Sequence, residues 1–256
     1  LAVALASVAG LAPMADAAAP ETAAPKTARD LYELRQYHLE TEPQRQGFDA
    51  FMRDAAIPAL NRLGVQPVGV FYPETDLSPV YVLLRHKSLD GLAALTARLL
   101  SDAEYQSKGA AFLNAPAEQP AYKRVESSLL LAFTGMPEIR RPVQSAGRVF
   151  QLRIYESPSV KTGQKKIEMF NTAEIDIFRK VGLTPVFFGE ALAGSKMPNL
   201  TYMLGFDSPE QQKAGWKKFG ADPEWKKLRA IPDYADKNIL CGITNLSLKP
   251  APYSQV

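Results

Sequence analysis

The chain has 256 residues, 46% of them hydrophobic and 22% charged, which is the balance of a folded globular protein and not of a disordered one. Its 30 basic and 27 acidic residues leave a net charge of +3, too even for the concentrated basic face of a nucleic-acid binder. One cysteine and two histidines exclude an intramolecular disulfide framework and a cysteine-rich zinc site, and leave little material for a histidine-built metal centre.

Residues 1–17 open with Leu1-Ala-Val-Ala-Leu-Ala-Ser-Val-Ala-Gly-Leu-Ala, an apolar run of signal-peptide length, followed by Pro13 and the A-x-A cleavage pattern Ala15-Asp16-Ala17. The run is too short to anchor in a bilayer. The expectation is an exported protein, periplasmic or secreted, with residues 18–30 as a flexible leader and no transmembrane anchor.

Residues 31–38 read Leu-Tyr-Glu-Leu-Arg-Gln-Tyr-His, and residues 149–156 read Val-Phe-Gln-Leu-Arg-Ile-Tyr-Glu. The two stretches share Leu34/Leu152, Arg35/Arg153 and Tyr37/Tyr155 at a constant offset (153 − 35 = 118). Both alternate at period two, as strands with two unlike faces do. One face carries Tyr32, Leu34 and Gln36, or Phe150, Leu152 and Ile154. The other carries Glu33, Arg35 and Tyr37, or Gln151, Arg153 and Tyr155. The apolar face is expected under helices, and the Arg/Tyr face toward a partner sheet.

After the first strand, apolar residues from Phe48 to Leu63 recur at helical spacing, with Pro58 expected to kink the helix and Gly64 to cap it. Strands are predicted over 66–72 and 80–85, a helix behind Ser88, a shorter one behind Asp102, and a strand over 122–133. Residues 134–148 have linker composition. The same order then returns: a helix stripe of Ile167, Phe170, Phe178 and Val181, a strand around Tyr202 that answers Tyr81, a helix behind Ser208-Pro-Glu, and a last strand over 238–248 that buries Cys241. Residues 249–256 read as a loose tail.

Each copy is therefore β-α-β-β-α-β, the ferredoxin-like unit, over 31–133 and 149–248. The predicted fold class is α+β: two tandem ferredoxin-like domains packed sheet to sheet as an intramolecular α+β barrel. Tyr-Glu-Leu-Arg-Gln-Tyr, the paired Leu63-Gly-Val-Gln-Pro-Val and Val181-Gly-Leu-Thr-Pro-Val turns, and Asp102-Ala-Glu-Tyr with Asp222-Pro-Glu-Trp resemble the NIPSNAP family of the dimeric α+β barrel superfamily. Gln151 departs from the motif, standing where the first copy has Glu33. The resemblance implies the barrel and brings in relatives associated with mitochondria and vesicles, together with related barrels that include cofactor-free monooxygenases and haem-handling enzymes.

Arg35, Tyr37, Arg153 and Tyr155 are the candidate ligand-binding residues, with Tyr81 and Tyr202 as further lining. Guanidinium forks hold carboxylates, phosphates or enolates, and phenols add hydrogen bonds and ring surface. The same four side chains also fit a structural network that docks the two sheets. Arg153, lacking a carboxylate like Glu33 beside it, is expected to reach an external anion in a cavity between the sheets or a fixed protein carboxylate. His38 and His86 read as capping or surface residues. The lysines beside Trp216 and Trp225 read as a solvated helix face. No catalytic residue is identified, and no cofactor or metal is implied by the motifs. The expected function is that of a binding or interaction protein using the inter-sheet cavity, with a small acidic or aromatic ligand and scope for a homo-oligomer through the outer helices. Two alternatives stand beside it: a cofactor-independent oxygenase or isomerase acting on a small aromatic or enolisable substrate, and a haem-binding protein.

Overall fold

In the computed structural model, residues 28–141 and 145–256 are described. The expected signal segment, leader residues 18–27 and linker residues 142–144 lie outside them. The first half runs β1 (Leu31–His38), α1 (Glu42–Phe51), a π-helical turn (Met52–Ala56), α2 (Ile57–Arg62), β2 (Gly69–Pro73), β3 (Val80–His86), α3 (Leu89–Leu100), α4 (Ala103–Leu113) and β4 (Arg124–Ala132). The second half runs β5 (Val149–Glu156), α5 (Val160–Met169), a π-helical turn (Phe170–Glu174), α6 (Ile175–Lys180), β6 (Thr184–Ala193), β7 (Asn199–Phe206), α7 (Pro209–Ala221), α8 (Pro223–Arg229), a 3-10 turn (Pro232–Tyr234), α9 (Asp236–Ile239) and β8 (Gly242–Pro250).

Local chemistry sets these limits. Thr41, Ser88, Asp102, Ser159, Ser208 and Asp222 each accept a backbone N–H at a helix start, which satisfies donors that have no partner inside the helix. Gly64 and Gly182 end the first long helix of each half at φ 80° and 83°, a region costly for any residue with a Cβ. The helix from Glu42 carries an irregularity just before Pro58. It passes through a π-helical turn, and the second half makes the same turn with Asp176 in the proline's place, so proline is not its cause.

The strands close into one barrel in the order β1-β3-β2-β8-β5-β7-β6-β4. Each half supplies four neighbouring strands in matching order, β4-β1-β3-β2 and β8-β5-β7-β6. Two antiparallel seams join them, β2 to β8 through Phe71–Pro250 and Pro73–Leu248, and β4 to β6 through Leu130–Ala191 and Ala132–Gly189. The halves thus share edge hydrogen bonds as well as facing side chains, which removes every free sheet edge. At the second seam a Cβ on Gly189 would lie 2.8 Å from Leu130 Cβ, so the strands approach closely only because glycine stands there.

The barrel interior corrects the expected facing. Tyr32, Leu34, Phe71, Leu83, Phe150, Leu152, Phe187 and Met203 fill the lumen. Tyr37 packs with α1, α2 and α4, and Tyr155 with the second-half helices. The apolar row points inward and the Arg/Tyr row lies beneath the helices, the reverse of the prediction. An eight-stranded barrel is just wide enough for its side chains, so the row without the arginines fills it.

Four smaller corrections follow. Residues after Lys249 are docked: Ala251 N–H donates to Val70 O and Ser254 Oγ accepts from Val70 N–H, while Val256 is buried in the lumen cluster. Leader residue Asp30 is buried and paired with Arg85 at 2.6 Å. Linker residues 136 and 140 are also tied down, with Arg140 N–H donating to Val186 O and Met136 buried. Cys241 is exposed, because it precedes β8 instead of lying within it. No helix among the described residues is long and apolar enough to cross a membrane.

Candidate functional site

Beneath the first-half helices, Arg35 and Tyr37 line a cavity of about 140 Å³. Its walls come from the sheet (Val82, Leu84), the π-helical turn and α2 (Met52, Ala56, Leu60), and α4 with its following loop (Tyr105, Phe112, Tyr122). The lining is apolar except for one guanidinium and three phenols. Arg35 Nε and Nη2 donate to Glu33 Oε1 at 2.6 Å and Oε2 at 3.0 Å, which leaves its remaining N–H groups uncommitted to that carboxylate. Glu33 also accepts from Ser127 Oγ at 3.1 Å and lies 3.2 Å from His86 Nε2. Burial alone would raise the Glu33 pKa, but hydrogen bonds from His86 and Arg35 outweigh it and hold the carboxyl at about 2.

The phenols face the other way electrically. Burial pushes Tyr37 up and Tyr105 up to about 12, so both stay protonated and act as donors at neutral pH. Among the described residues neither hydroxyl has a protein acceptor. Tyr37 and Tyr122 meet edge to face at 5.7 Å between centroids, and Phe51 stacks on Phe112 at 4.1 Å and 7°. The cavity therefore offers hydrogen-bond donors in an apolar bowl and asks for an acceptor oxygen.

The matching place in the second half is filled. Arg153 pairs across to Tyr202 as Arg35 pairs to Val82, so Tyr202 corresponds to Val82 and not to Tyr81. A one-residue slip reverses the face, and Tyr81 accordingly points into the lumen while Tyr202 lies under the helices. Equivalent positions in the two π-helical turns hold Ala56 and Glu174, and eight residues earlier Phe48 and Lys166. Lys166 is buried with Nζ 3.6 Å from Glu174, 3.1 Å from Asp236, and 5.3–6.0 Å from the rings of Phe170, Tyr155 and Trp225. Arg153 has no carboxylate partner among the described residues and lies beneath the second-half helices instead of between the sheets. Its guanidinium sits 4.8 Å from the Trp216 ring and 5.3 Å from Tyr155, with Nε unpartnered. Gln151 instead accepts from Trp216 Nε1 at 2.7 Å.

This second half has a known relative. The NIPSNAP family model matches residues 150–255. The second half is a NIPSNAP domain. Its extent takes in the docked residues after Lys249, so the NIPSNAP domain includes the segment that seals against β2 in the first half.

No curated protein matches the sequence. Among solved structures the chain is similar to a candidate monooxygenase of Fusobacterium nucleatum, with TM-score 0.60 and 10% identity over 88% of this chain and 93% of that one. It is also similar to a candidate monooxygenase of Lactobacillus acidophilus, with TM-score 0.59 and 6% identity over 87% and 94%. A NIPSNAP-like domain protein from Burkholderia xenovorans is 18% identical over 43% of this chain and 90% of its own, with TM-score 0.38. At these identities the first two likenesses are likenesses of fold.

Of the six residues singled out in the sequence, Arg35 and Tyr37 come together at the first-half cavity, and Arg153, Tyr155 and Tyr202 in the filled cluster of the NIPSNAP domain. Tyr81 joins neither group. Neither histidine lines the cavity, since His38 lies against Glu126 at 2.6 Å and His86 against Glu33. Sequence reasoning missed Tyr105 and Phe112 as lining, and Lys166 and Glu174 as the filling. Two charged residues inside an otherwise apolar helix stripe were the available signal for the latter pair.

Proposed function

We propose that the chain is two tandem ferredoxin-like units in which the first keeps a ligand cavity and the second has closed its own. The first-half cavity is read as a binding site for a small single-ring compound carrying an acceptor oxygen. The observation behind this reading is the pair of buried, protonated phenols without a protein acceptor beside Arg35. A cavity of roughly 150 Å³ admits a benzene-sized ring, so this volume suits one ring and little more. Because Arg35 is already balanced by Glu33, an uncharged carbonyl or phenol is favoured over a carboxylate, whose burial would leave a negative charge unpaired.

A binding role is favoured over an oxygenase or isomerase because proton abstraction needs a base within hydrogen-bond reach of the ligand. The lining offers a guanidinium and phenols held protonated, while the Glu33 carboxylate is engaged by three side chains. Calorimetric titration with methyl 4-hydroxybenzoate tests the proposal. The expected Kd is on the order of 0.1–1 mM, the range for a ligand of this size. Ala56→Leu, which fills the cavity from the π-helical turn, is expected to abolish that binding while leaving the melting temperature unchanged or higher. Equal binding by the wild type and Ala56→Leu would overturn the assignment.

A further inference from the structure

On the outer side of Phe51 and Phe112 lies a second, open hollow of about 550 Å³ between α1, α4 and the loop that follows α4. The two aromatic rings wall both spaces, so the inner cavity and the outer groove are adjoining compartments divided by one stacked pair. The groove floor is apolar and shallow-chained, formed by Gly47, Ala50, Gly109 and Ala115 beside the two rings. Apart from Gln119, its polar rim is largely paired within the protein. Gln44 donates to Pro120 O at 2.9 Å, Lys108 to Glu104 at 2.6 Å, and Asp54 accepts from Arg53.

The NIPSNAP domain shows how the same face looks when it is not kept open. The positions five and two residues before its π-helical turn that match Gly47 and Ala50 are Lys165 and Glu168, which pair at 2.9 Å. Tyr234, from the 3-10 turn, donates to Glu168 at 2.8 Å and covers that face. The first half has small side chains at these positions, and the loop after α4 lines the groove with Ala115, Gln119, Pro120 and Ala121.

We infer that the groove receives an unbranched apolar chain borne by the ligand whose ring occupies the inner cavity, making the ligand a ring with an alkyl tail. This rests on the binding role proposed above. The inner cavity supplies donors for the ring oxygen, and it has room for one ring. The groove supplies mainly apolar surface and shares its Phe51 and Phe112 walls with the inner cavity. An apolar chain matches that surface, whereas a polar or charged extension would lose water without gaining a partner.

The test is a chain-length series of 4-hydroxybenzoate esters (methyl, propyl, pentyl, heptyl) titrated into the full chain, its Gly47→Leu variant and its Ala56→Leu variant. A Cβ at Gly47 meets nothing within 4 Å, so the leucine is accommodated and occupies the groove, and replacing a mid-helix glycine does not weaken α1. In the wild type, affinity is expected to rise roughly fourfold per added methylene, the equivalent of about 0.8 kcal/mol. In Gly47→Leu that gain is lost, with the melting temperature unchanged or higher, and in Ala56→Leu no ester binds. Binding of the methyl ester with no gain along the series overturns the groove assignment and leaves the ring site standing. A gain that survives Gly47→Leu, or long esters that still bind Ala56→Leu, also overturns it, because the tail then lies elsewhere or binds without the ring. Failure of every ester overturns both assignments.

Discussion

Glu174 and Lys166 show what one pair of side chains does to a site. Where the first half has Ala56 and Phe48, the second half buries a carboxylate and an ammonium 3.6 Å apart. Burial pushes the Glu174 carboxyl up to about 7, with Lys166 opposing the rise, while burial of Lys166 is outweighed by Glu174 and Asp236, so its ammonium stays charged. A carboxyl whose folded pKa lies above its unfolded value near 4.5 binds its proton more tightly when folded. Its contribution is therefore most favourable below about pH 4.5 and is lost as pH rises to about 7, by on the order of 3 kcal/mol. Glu174→Gln removes that titration and leaves Lys166 its contact with Asp236. Relative to the wild type, the variant is expected to gain stability as pH rises from 4.5 to 8. Urea unfolding at several pH values checks this, and parallel pH profiles for the two proteins would contradict it.

At the scale of elements, the order of strands and helices was legible because its signals are local. Ser, Thr and Asp caps, the glycines at 64 and 182, and period-two or helical spacing each act within a few residues. The facing of the strands was not legible. Leu34 and Arg35 alternate in either arrangement, and which row meets the lumen depends on whether the sheet edges close, a long-range outcome. The one-residue slip between Tyr81 and Tyr202 had the same root, since matching aromatic residues by type ignored the pairing of Arg35 with Val82. The cavity was legible in part. Arg35 and Tyr37 stood out, but Tyr105 and Phe112 reach it through the packing of α4, which no spacing announces. Closure itself depends on the β4–β6 seam, where Leu130 presses against Gly189. Gly189→Val is expected to force that seam apart at a cost of about 1–3 kcal/mol, as overpacking does elsewhere. Chemical denaturation reads the loss, and an unchanged midpoint would mean that the seam yields without cost.

Across the whole molecule, one barrel carries two helix-covered faces of unlike character. The lumen is filled with apolar side chains and binds the halves together, so it is structural. The face of the NIPSNAP domain holds its own charges and rings, and the opposite face holds a cavity lined by the Tyr37 and Tyr105 hydroxyls, which have no acceptor among the described residues. The account stands on that asymmetry. Crystals soaked with methyl 4-hydroxybenzoate test it most directly. The ring should appear between β1 and the α1–α4 layer of the first half, with an oxygen within hydrogen-bond distance of Arg35, Tyr37 or Tyr105, and nothing at Glu174. Density for the ring in the lumen or beneath the second-half helices, with the first-half cavity empty, would contradict it.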